Sequence, residues 1–524
     1  MSSQNFFLTT AIDYPNSRPH IGTAFEKIGA DVQARFQRMQ GKNVFFLMGN
    51  DENTIKVAKR AAELNLDTKA YCDEMAQQFK EVWRALDISF DDFIQTSEPR
   101  HHHCCKTFIQ KVFDNGHIYK GGYEGWYCEG CEAFKTDKEL DEHKVCPTHK
   151  TMAVKRLETC YFFALSKFRE QLLSFYEQNP DFIQPESRRN EVLALVQSEL
   201  KDVNITRSGQ AWGIPVPFDP EFTIYVWFDA LLNYITAIGY GQDEAKFKAF
   251  WPADLHIIGK DITRFHCALW PAMCLAAGIA PPKKVFGHGF VYVKNEETGD
   301  VQKISKSLGN VVEPMDIITQ FSAEAFRYYF LRECPFPADG EFSMQRFVDL
   351  YNSDLANNLG NLYSRVVGLI GKNYEGILLN IPATTEPLFS DEALKLIVRQ
   401  VQEHLENLQY NQALQKIWML ILDPANQHAE KNAPWTLVKN DKEKAKVVLA
   451  QMVGAIRVAA ILLKPFLPKL AENLYNSFNF SISWNLINYK DALKPESYSN
   501  GLKILAELDN GKVKPLLPRI QKPS

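Results

Sequence analysis

No apolar run in this chain is long and clean enough to suggest a membrane span. The longest, Val447 to Leu463, contains Gln451 and Arg457 and reads as a buried helix. The first residues, Met1-Ser2-Ser3-Gln4-Asn5, carry neither a basic stretch nor an apolar core, so no secretory signal is expected. Ten cysteines in 524 residues, without such a signal, are no disulfide framework and point to a reducing compartment, the cytosol. Neither sign of charge dominates: 59 Lys and Arg against 63 Asp and Glu leave −4, so a nucleic-acid partner must meet local basic patches. There is no internal repeat and no low-complexity tract. What remains, with 45% hydrophobic and 23% charged residues, is an ordinary globular composition. The length calls for roughly two to four domains.

The first stretch with chemical content lies between a strand and a helix. Phe6-Phe7-Leu8-Thr9-Thr10 reads as a buried strand, and Ala24 to Met39 carries apolar residues at helical spacing. The intervening turn, Ala11 to Thr23, holds two prolines and one imidazole. Such turns, at the carboxyl end of a parallel strand, are where open α/β sheets bind nucleotides. The helix amino terminus offers N–H groups to phosphate; His20 adds a donor, and Gly22 lets a flat base approach the backbone. A lone His in a turn is more often structural. Here Lys303-Ile304-Ser305-Lys306-Ser307 follows far downstream, in a loop with Gly309, and the pair is more specific than either half. After the second strand, Val44 to Met48, Asp51 either holds an amino group or caps a helix over Thr54 to Leu64. His101-His102-His103-Cys104-Cys105 reads as a solvated helix face with buried cysteines, because consecutive helical residues point in different directions.

The chain then changes character. Cys128 and Cys131, fourteen residues, then Cys146 and His149 form C-x2-C and C-x2-H pairs spaced for tetrahedral Zn²⁺. Four protein ligands leave no open position, so the metal is expected to be structural. The alternating pattern returns with strands over Thr223 to Ala230, Leu255 to Asp261 and Val285 to Phe290. From Ala323 the chain reads as helical, with amphipathic segments around 352–372, 391–420 and 441–464, and ends in a tail with Lys512, Lys514, Arg519 and Lys522. Trp227, Ala230 and Tyr234 fall on one helical face, which reads as core or as pocket wall. Trp435, after Pro434, reads as core or as a stacking surface.

The two outer motifs resemble the HIGH and KMSKS signatures of class I aminoacyl-tRNA synthetases. Trp212-Gly213-Ile214-Pro215-Val216-Pro217, Trp227 to Tyr234, Gly259-Lys260-Asp261-Ile262 with Phe265-His266, and Asn432-Ala433-Pro434-Trp435 narrow the resemblance to the methionyl-tRNA synthetases, over Phe6 to about Arg519. Three positions depart from the family pattern: Thr23 stands where a second His is common, Ile304 where Met is usual, and Asn53 where many relatives have His.

The resemblance implies a Rossmann-type α/β catalytic domain (1–117 and 225–320) and a zinc-bearing connective insertion (118–224). A stem-contact region (321–350) and an all-α anticodon-binding bundle with its tail (351–524) would follow. It implies methionine activation by ATP with Mg²⁺, then transfer to tRNA(Met), by a monomer with one structural Zn²⁺ on Cys128, Cys131, Cys146 and His149. His20, Lys303 and Lys306 would be catalytic, with Gly22 and Thr23 also at ATP. Ala11, Ile12, Tyr14, Asp51, Trp227, Ala230, Tyr234 and His266 would hold the amino acid, supported by Arg207 and Asp261. Asn361, Arg365 and Trp435 would read the CAU anticodon. The rivals are another class I synthetase for a small amino acid, a non-catalytic tRNA-binding relative, and a small nucleotidylyltransferase. Room for a large editing insertion is lacking, all four zinc ligands come from protein, and the catalytic cations are present, which disfavours the first two. The helical half disfavours the third.

Overall fold

The computed structural model describes residues 4–128, 133–135, 140–147, 150–198, 200–296, 298–304, 310–384, 386–496, 498, 500–506, 508–509 and 512–521. Strands β1 (Asn5–Thr10), β2 (Asn43–Asn50) and β3 (Asp92–Gln95) lie side by side in a six-stranded sheet. Helices α1 (Ile21–Met39), α2 (Ile55–Glu63) and α3 (Thr68–Ala85) connect them. On the other side of β1 come strands Leu255–Gly259, Val285–His288 and Ile183–Gln184, every pairing parallel. The order reverses at β1, so a crevice opens beyond the carboxyl ends of β1 and Leu255–Gly259, where such sheets bind ligands. The register sets Thr10 against Ile257 and Gly259 against His288.

α1 runs from that crevice into the core. Ile21, Phe25, Ile28, Val32 and Phe36 are all buried, each contributing about 1.5–3 kcal/mol. The helix is enclosed almost all round, so Lys27 and Asp31 are buried with it and find charged partners. Asp31 meets Arg327 of helix Ala323–Glu333 at 2.8 Å, and the fully buried guanidinium also donates to the carbonyls of Leu86, Pro465 and Phe466. One side chain thus ties the sheet's first helix to the helical half.

The insertion is built on a long antiparallel pair, Ile118–Cys128 with Val154–Phe163, in register from Ile118 opposite Phe163 to Tyr127 opposite Val154. The strand expected over Thr223 to Ala230 stops at Ile224, and Val226–Ala230 is helical. Phe228, Asp229 and Ala230 are buried on every side, and a fully buried run does not distinguish strand from helix by its pattern.

The helical half begins with a nearly continuous rod from Met344 to Tyr374. The helix expected over 391–420 breaks: Asp391–Glu406 and Tyr410–Ile417 are joined through Leu408, whose φ of 55° reverses the chain. Helix Lys442–Leu463 is long and apolar enough to cross a membrane by length and composition. It is largely buried among its neighbours, with Arg457 donating to the carbonyls of Asp491 and Lys494.

Candidate active site

The turn after β1 is zipped between two strand ends. Ala11 N–H donates to Ile257 (3.2 Å), Asp13 N–H to Gly49 (3.0 Å), and Asp51 N–H back to the Asp13 carbonyl (2.8 Å). At its far end His20 caps α1, its Nδ1 accepting from Thr23 N–H at 3.2 Å. A neutral His20 therefore carries its proton on Nε2. A Cβ on Gly22 would stand 3.1 Å from the His20 ring, so the glycine makes room for that cap.

A cavity of about 370 Å³ opens over this turn, within the range of small-ligand sites. It gathers His20, Gly22, Thr23, Lys303 and Asp261 with Ala11, Ile12, Tyr14, Asp51, Trp227, Ala230, Tyr234 and His266. Residues far apart in the chain thus share one site. Lys303 is exposed, its ammonium 4.8 Å from the centre of the Phe290 ring. Lys306 lies outside the described residues. Arg207 does not line the cavity: its guanidinium stacks 4.0 Å over Tyr225.

The aromatic wall is fixed by its own hydrogen bonds. His266 Nδ1 faces the Ile262 carbonyl at 3.1 Å and so carries a proton, leaving Nε2 to accept from the Tyr234 hydroxyl at 2.7 Å. Burial holds the His266 imidazole neutral, with its pKa lowered to about 4. Tyr234 also stacks on His256 at 4.2 Å, and Trp227 lies flat on Phe265 at 3.9 Å. With its hydroxyl proton and lone pair engaged, the wall offers apolar and aromatic surface, which suits a thioether.

The structure decides between the two readings of Asp51 and adds a second carboxylate. Asp51 does not cap α2, because Thr54 does, its side chain accepting from Val57 N–H. Asp51 is 4% exposed and its Oδ1 has no hydrogen-bond partner. Burial, then the neighbouring Glu52, raises its pKa well above the carboxylate range. Asp229 lies near it and escaped the sequence reading. It is fully buried, held by Asn53 Nδ2 at 3.1 Å, and raised likewise by burial and by Asp51. Its place inside the Trp-Phe-Asp-Ala segment, an acid among apolar residues, was the available signal.

His101 is also a correction. Helix α4 (Pro99–Asp114) turns His101 inward, on the same face as buried Cys105 one turn later, rather than to solvent. It contacts Thr236 Oγ1 (3.1 Å) and Cys105 Sγ (3.2 Å), and burial lowers its pKa to about 3. A second unforeseen group is a largely buried chain of charges, Asp13–Lys27–Glu26–His288, of which Asp13, Glu26 and His288 line the cavity. Two adjacent opposite charges, Glu26 and Lys27, one turn into the helix that follows the turn were its signal.

In the insertion, Cys128 and Cys146 are buried in one small cluster with Leu140 and Ala153. Cys146 sits in a tight turn, its N–H donating to Thr151 and its carbonyl accepting from Lys150 N–H, both at 2.8 Å. Cys131 and His149 lie outside the described residues, and among the described ones no group of three or more metal-binding side chains forms. In the helical half, Asn361 and Arg365 are exposed on helix Asn361–Tyr374, and the Arg365 guanidinium stands 5.8 Å from the Trp435 ring. Trp435 is 41% exposed, so it is not a core aromatic.

Comparison with known proteins agrees with this geometry. The family described as tRNA synthetases class I (M) matches residues 6–160 and 142–367, and the anticodon binding domain of methionyl tRNA ligase matches 383–503. The methionine–tRNA ligase of Caldanaerobacter subterraneus subsp. tengcongensis is 41% identical over 91% of this chain and 74% of its own. That of Thermosynechococcus vestitus is 42% identical over 92% of each. The structure of Mycobacterium tuberculosis methionyl-tRNA synthetase in complex with methionyl-adenylate superposes with a TM-score of 0.86 at 36% identity, over 96% of this chain and 99% of that one. With its parallel sheet, its crevice and its helical second half, the chain belongs to the methionyl-tRNA synthetases.

Proposed function

We propose that the cavity over the β1–α1 turn is where methionine and ATP react, giving methionyl-adenylate and pyrophosphate before transfer to the 3′-terminal adenosine of tRNA(Met). The observation that carries this is the convergence of His20, Lys303 and the Trp227–Tyr234–His266 wall on one cavity. A carboxylate is already ionised at neutral pH, so the reaction needs in-line placement and stabilisation of phosphate charge rather than a general base. Methionine's carboxylate oxygen attacks the α-phosphorus and pyrophosphate leaves with the bonding pair. His20 donates from Nε2 to phosphate oxygen. Lys303 and Lys306 meet the charge of the departing group, with Mg²⁺ as its counter-ion. Asp51, whose Oδ1 is buried without a donor, accepts from the α-ammonium group. The terminal ribose hydroxyl then attacks the adenylate carbonyl, and AMP leaves.

A structural Zn²⁺ suits the insertion, because Cys128 and Cys146 are buried together in a cluster of only four residues among the described ones. Cys128, Cys131, Cys146 and His149 would hold it, and the metal supplies folding free energy there. The exposed Arg365–Trp435 pair with Asn361 reads the anticodon through base edges and stacking. The reading divides the chain into a catalytic domain (1–117 and 225–320), the insertion (118–224), a stem-contact region (321–350) and the anticodon bundle (351–524). It places a monomer in the cytosol, which the cysteine usage supports. ATP–pyrophosphate exchange with each amino acid offered separately tests the whole. Methionine alone should drive it, and exchange with a different amino acid would overturn the assignment.

A further inference from the structure

Asp13, Glu26 and His288, which line the cavity, and Lys27 behind them form one largely buried network whose protons can be placed by hydrogen-bond logic. The Lys27 ammonium, with no exposed surface, donates to Ala11 O (2.7 Å) and Glu26 Oε1 (2.6 Å) and stands in ion-pair range of Asp13 Oδ2 (3.2 Å). Glu26 is 7% exposed, and its Oε2 lies 2.9 Å from His288 Nε2. His288 Nδ1 lies 2.7 Å from the Gly289 carbonyl. A carbonyl oxygen only accepts, so Nδ1 carries a proton. Burial disfavours the Glu26 charge, but Lys27 and His288 outweigh it and hold the carboxyl below its usual range. With the Lys27 ammonium on its Oε1, Glu26 faces His288 as a carboxylate acceptor, so Nε2 carries a proton as well. His288 is an imidazolium, enclosed edge-on by Phe25 (5.9 Å) and stacked by Phe336 (5.3 Å).

We propose that His288 is a positioning residue for the adenylation reaction, a fixed cation that locks Glu26 and, with Lys27, cancels the charge of Glu26 and Asp13 where the polyphosphate enters. The inference rests on the cavity being the adenylation site. The charged groups around the ring are Glu26 and Lys27 from α1, Asp13 from the turn, and Asp261 from the segment after Leu255–Gly259, which is exposed and screened by water. Two cations against Asp13 and Glu26 sum to zero. A neutral His288 would leave one negative charge beside an incoming polyanion, and in a partly enclosed cavity that repulsion is poorly screened. The second role is geometric: Glu26 lines the cavity, and with both oxygens anchored it keeps one orientation.

Selective ring-¹⁵N labelling of histidine in the full-length protein reads the proton placement directly, with His288 assigned by the signal lost in His288→Gln and displaced in Glu26→Gln. Two protonated ring nitrogens at neutral pH are expected; a neutral tautomer overturns the proposal. In pyrophosphate exchange, His288→Gln should raise KM for ATP on the order of tenfold and leave KM for methionine nearly unmoved. Adding Glu26→Gln restores the charge sum and should bring KM for ATP back toward the wild-type value. A double variant worse than the single one means that His288 acts by packing alone, and the proposal fails. Trp227→Ala separates this from the underlying reading: if KM for methionine does not rise there, the cavity itself is misassigned. A normal Trp227→Ala response beside an unchanged KM for ATP in His288→Gln sinks only the inference about His288.

Discussion

Arg327→Met probes the joint between the sheet and the helical half. The guanidinium is fully buried, 2.8 Å from Asp31, with hydrogen bonds to the carbonyls of Phe466 (2.7 Å), Leu86 (3.2 Å) and Pro465 (3.2 Å). Methionine keeps an apolar stem but leaves those three acceptors without a donor, each worth about 1–3 kcal/mol if water cannot reach it. Asp31 is not left bare, because Arg35 (2.7 Å) and the Ser89 N–H and hydroxyl (2.8 and 2.6 Å) still hold it. The net loss should therefore be about 3–5 kcal/mol, the range for breaking a buried pair. Urea titration followed by tryptophan fluorescence reads it as a lower midpoint at unchanged slope. The acid limb should change too. Burial alone would raise the Asp31 pKa, but Arg35, Arg327 and Ser89 outweigh it and lower it. A depressed carboxyl contributes stability above its unfolded value, about 3.9, and loses it as pH falls through the folded one. Arg327→Met should shallow that acid-side loss. A cost below about 1 kcal/mol would mean the carbonyls find water and the joint is not sealed.

Three further outcomes test other parts. Lys306→Ala should lower kcat of pyrophosphate exchange by about 10²–10³ with methionine binding nearly intact, since the charge it meets exists mainly in the transition state; unchanged turnover removes the loop from the mechanism. Cys146→Ser should lower zinc content by elemental analysis and increase proteolysis within 118–224, and metal-free wild-type protein purified without chelator would refute the site. Trp435→Ala should raise KM for tRNA by the equivalent of ~1–3 kcal/mol of lost stacking without altering methionine-dependent exchange. A fall in both steps with loss of stability would mean that Trp435 supports the fold instead.

What could be read without coordinates was whatever repeats a local rule. The β1–α1 turn was legible because a short apolar strand, an imidazole and a helix follow in order, and its cavity partners because their motifs are long. Asp229, Glu26 and His288 were not legible, since their meaning depends on strands that meet only in three dimensions: His288 stands opposite Gly259 in register and reaches Glu26 across 262 positions of chain. The misread elements share one cause. Phe228 to Ala230 and His101 are buried, and amphipathic patterns carry information only where one face is wet. The break at Leu408 needs a left-handed backbone at a residue type that rarely adopts it, so no turn signal announced it.

The two polar departures from the family pattern, Thr23 and Asn53, bear on how the site keeps its polarity. At Thr23 the contact made to His20 is mainly through the backbone: the N–H sits 3.2 Å from Nδ1, with Oγ1 farther at 3.4 Å. Any residue but proline supplies that N–H, so the tautomer presenting Nε2–H survives the loss of a second imidazole. Asn53 works through its side chain. Its single amide nitrogen donates both to the Thr96 carbonyl (3.0 Å) and to Asp229 Oδ2 (3.1 Å), two acceptors that a neutral imidazole with one N–H could not both serve. Asp229 is thereby held at one oxygen beside Asp51. Among the described residues no donor reaches Asp51 Oδ1. A buried carboxyl kept apart from internal donors is costly to an empty site, and an incoming ammonium group removes that cost. The amide at 53 thus fixes Asp229 and leaves Asp51 Oδ1 open to the ammonium group of the proposed reaction.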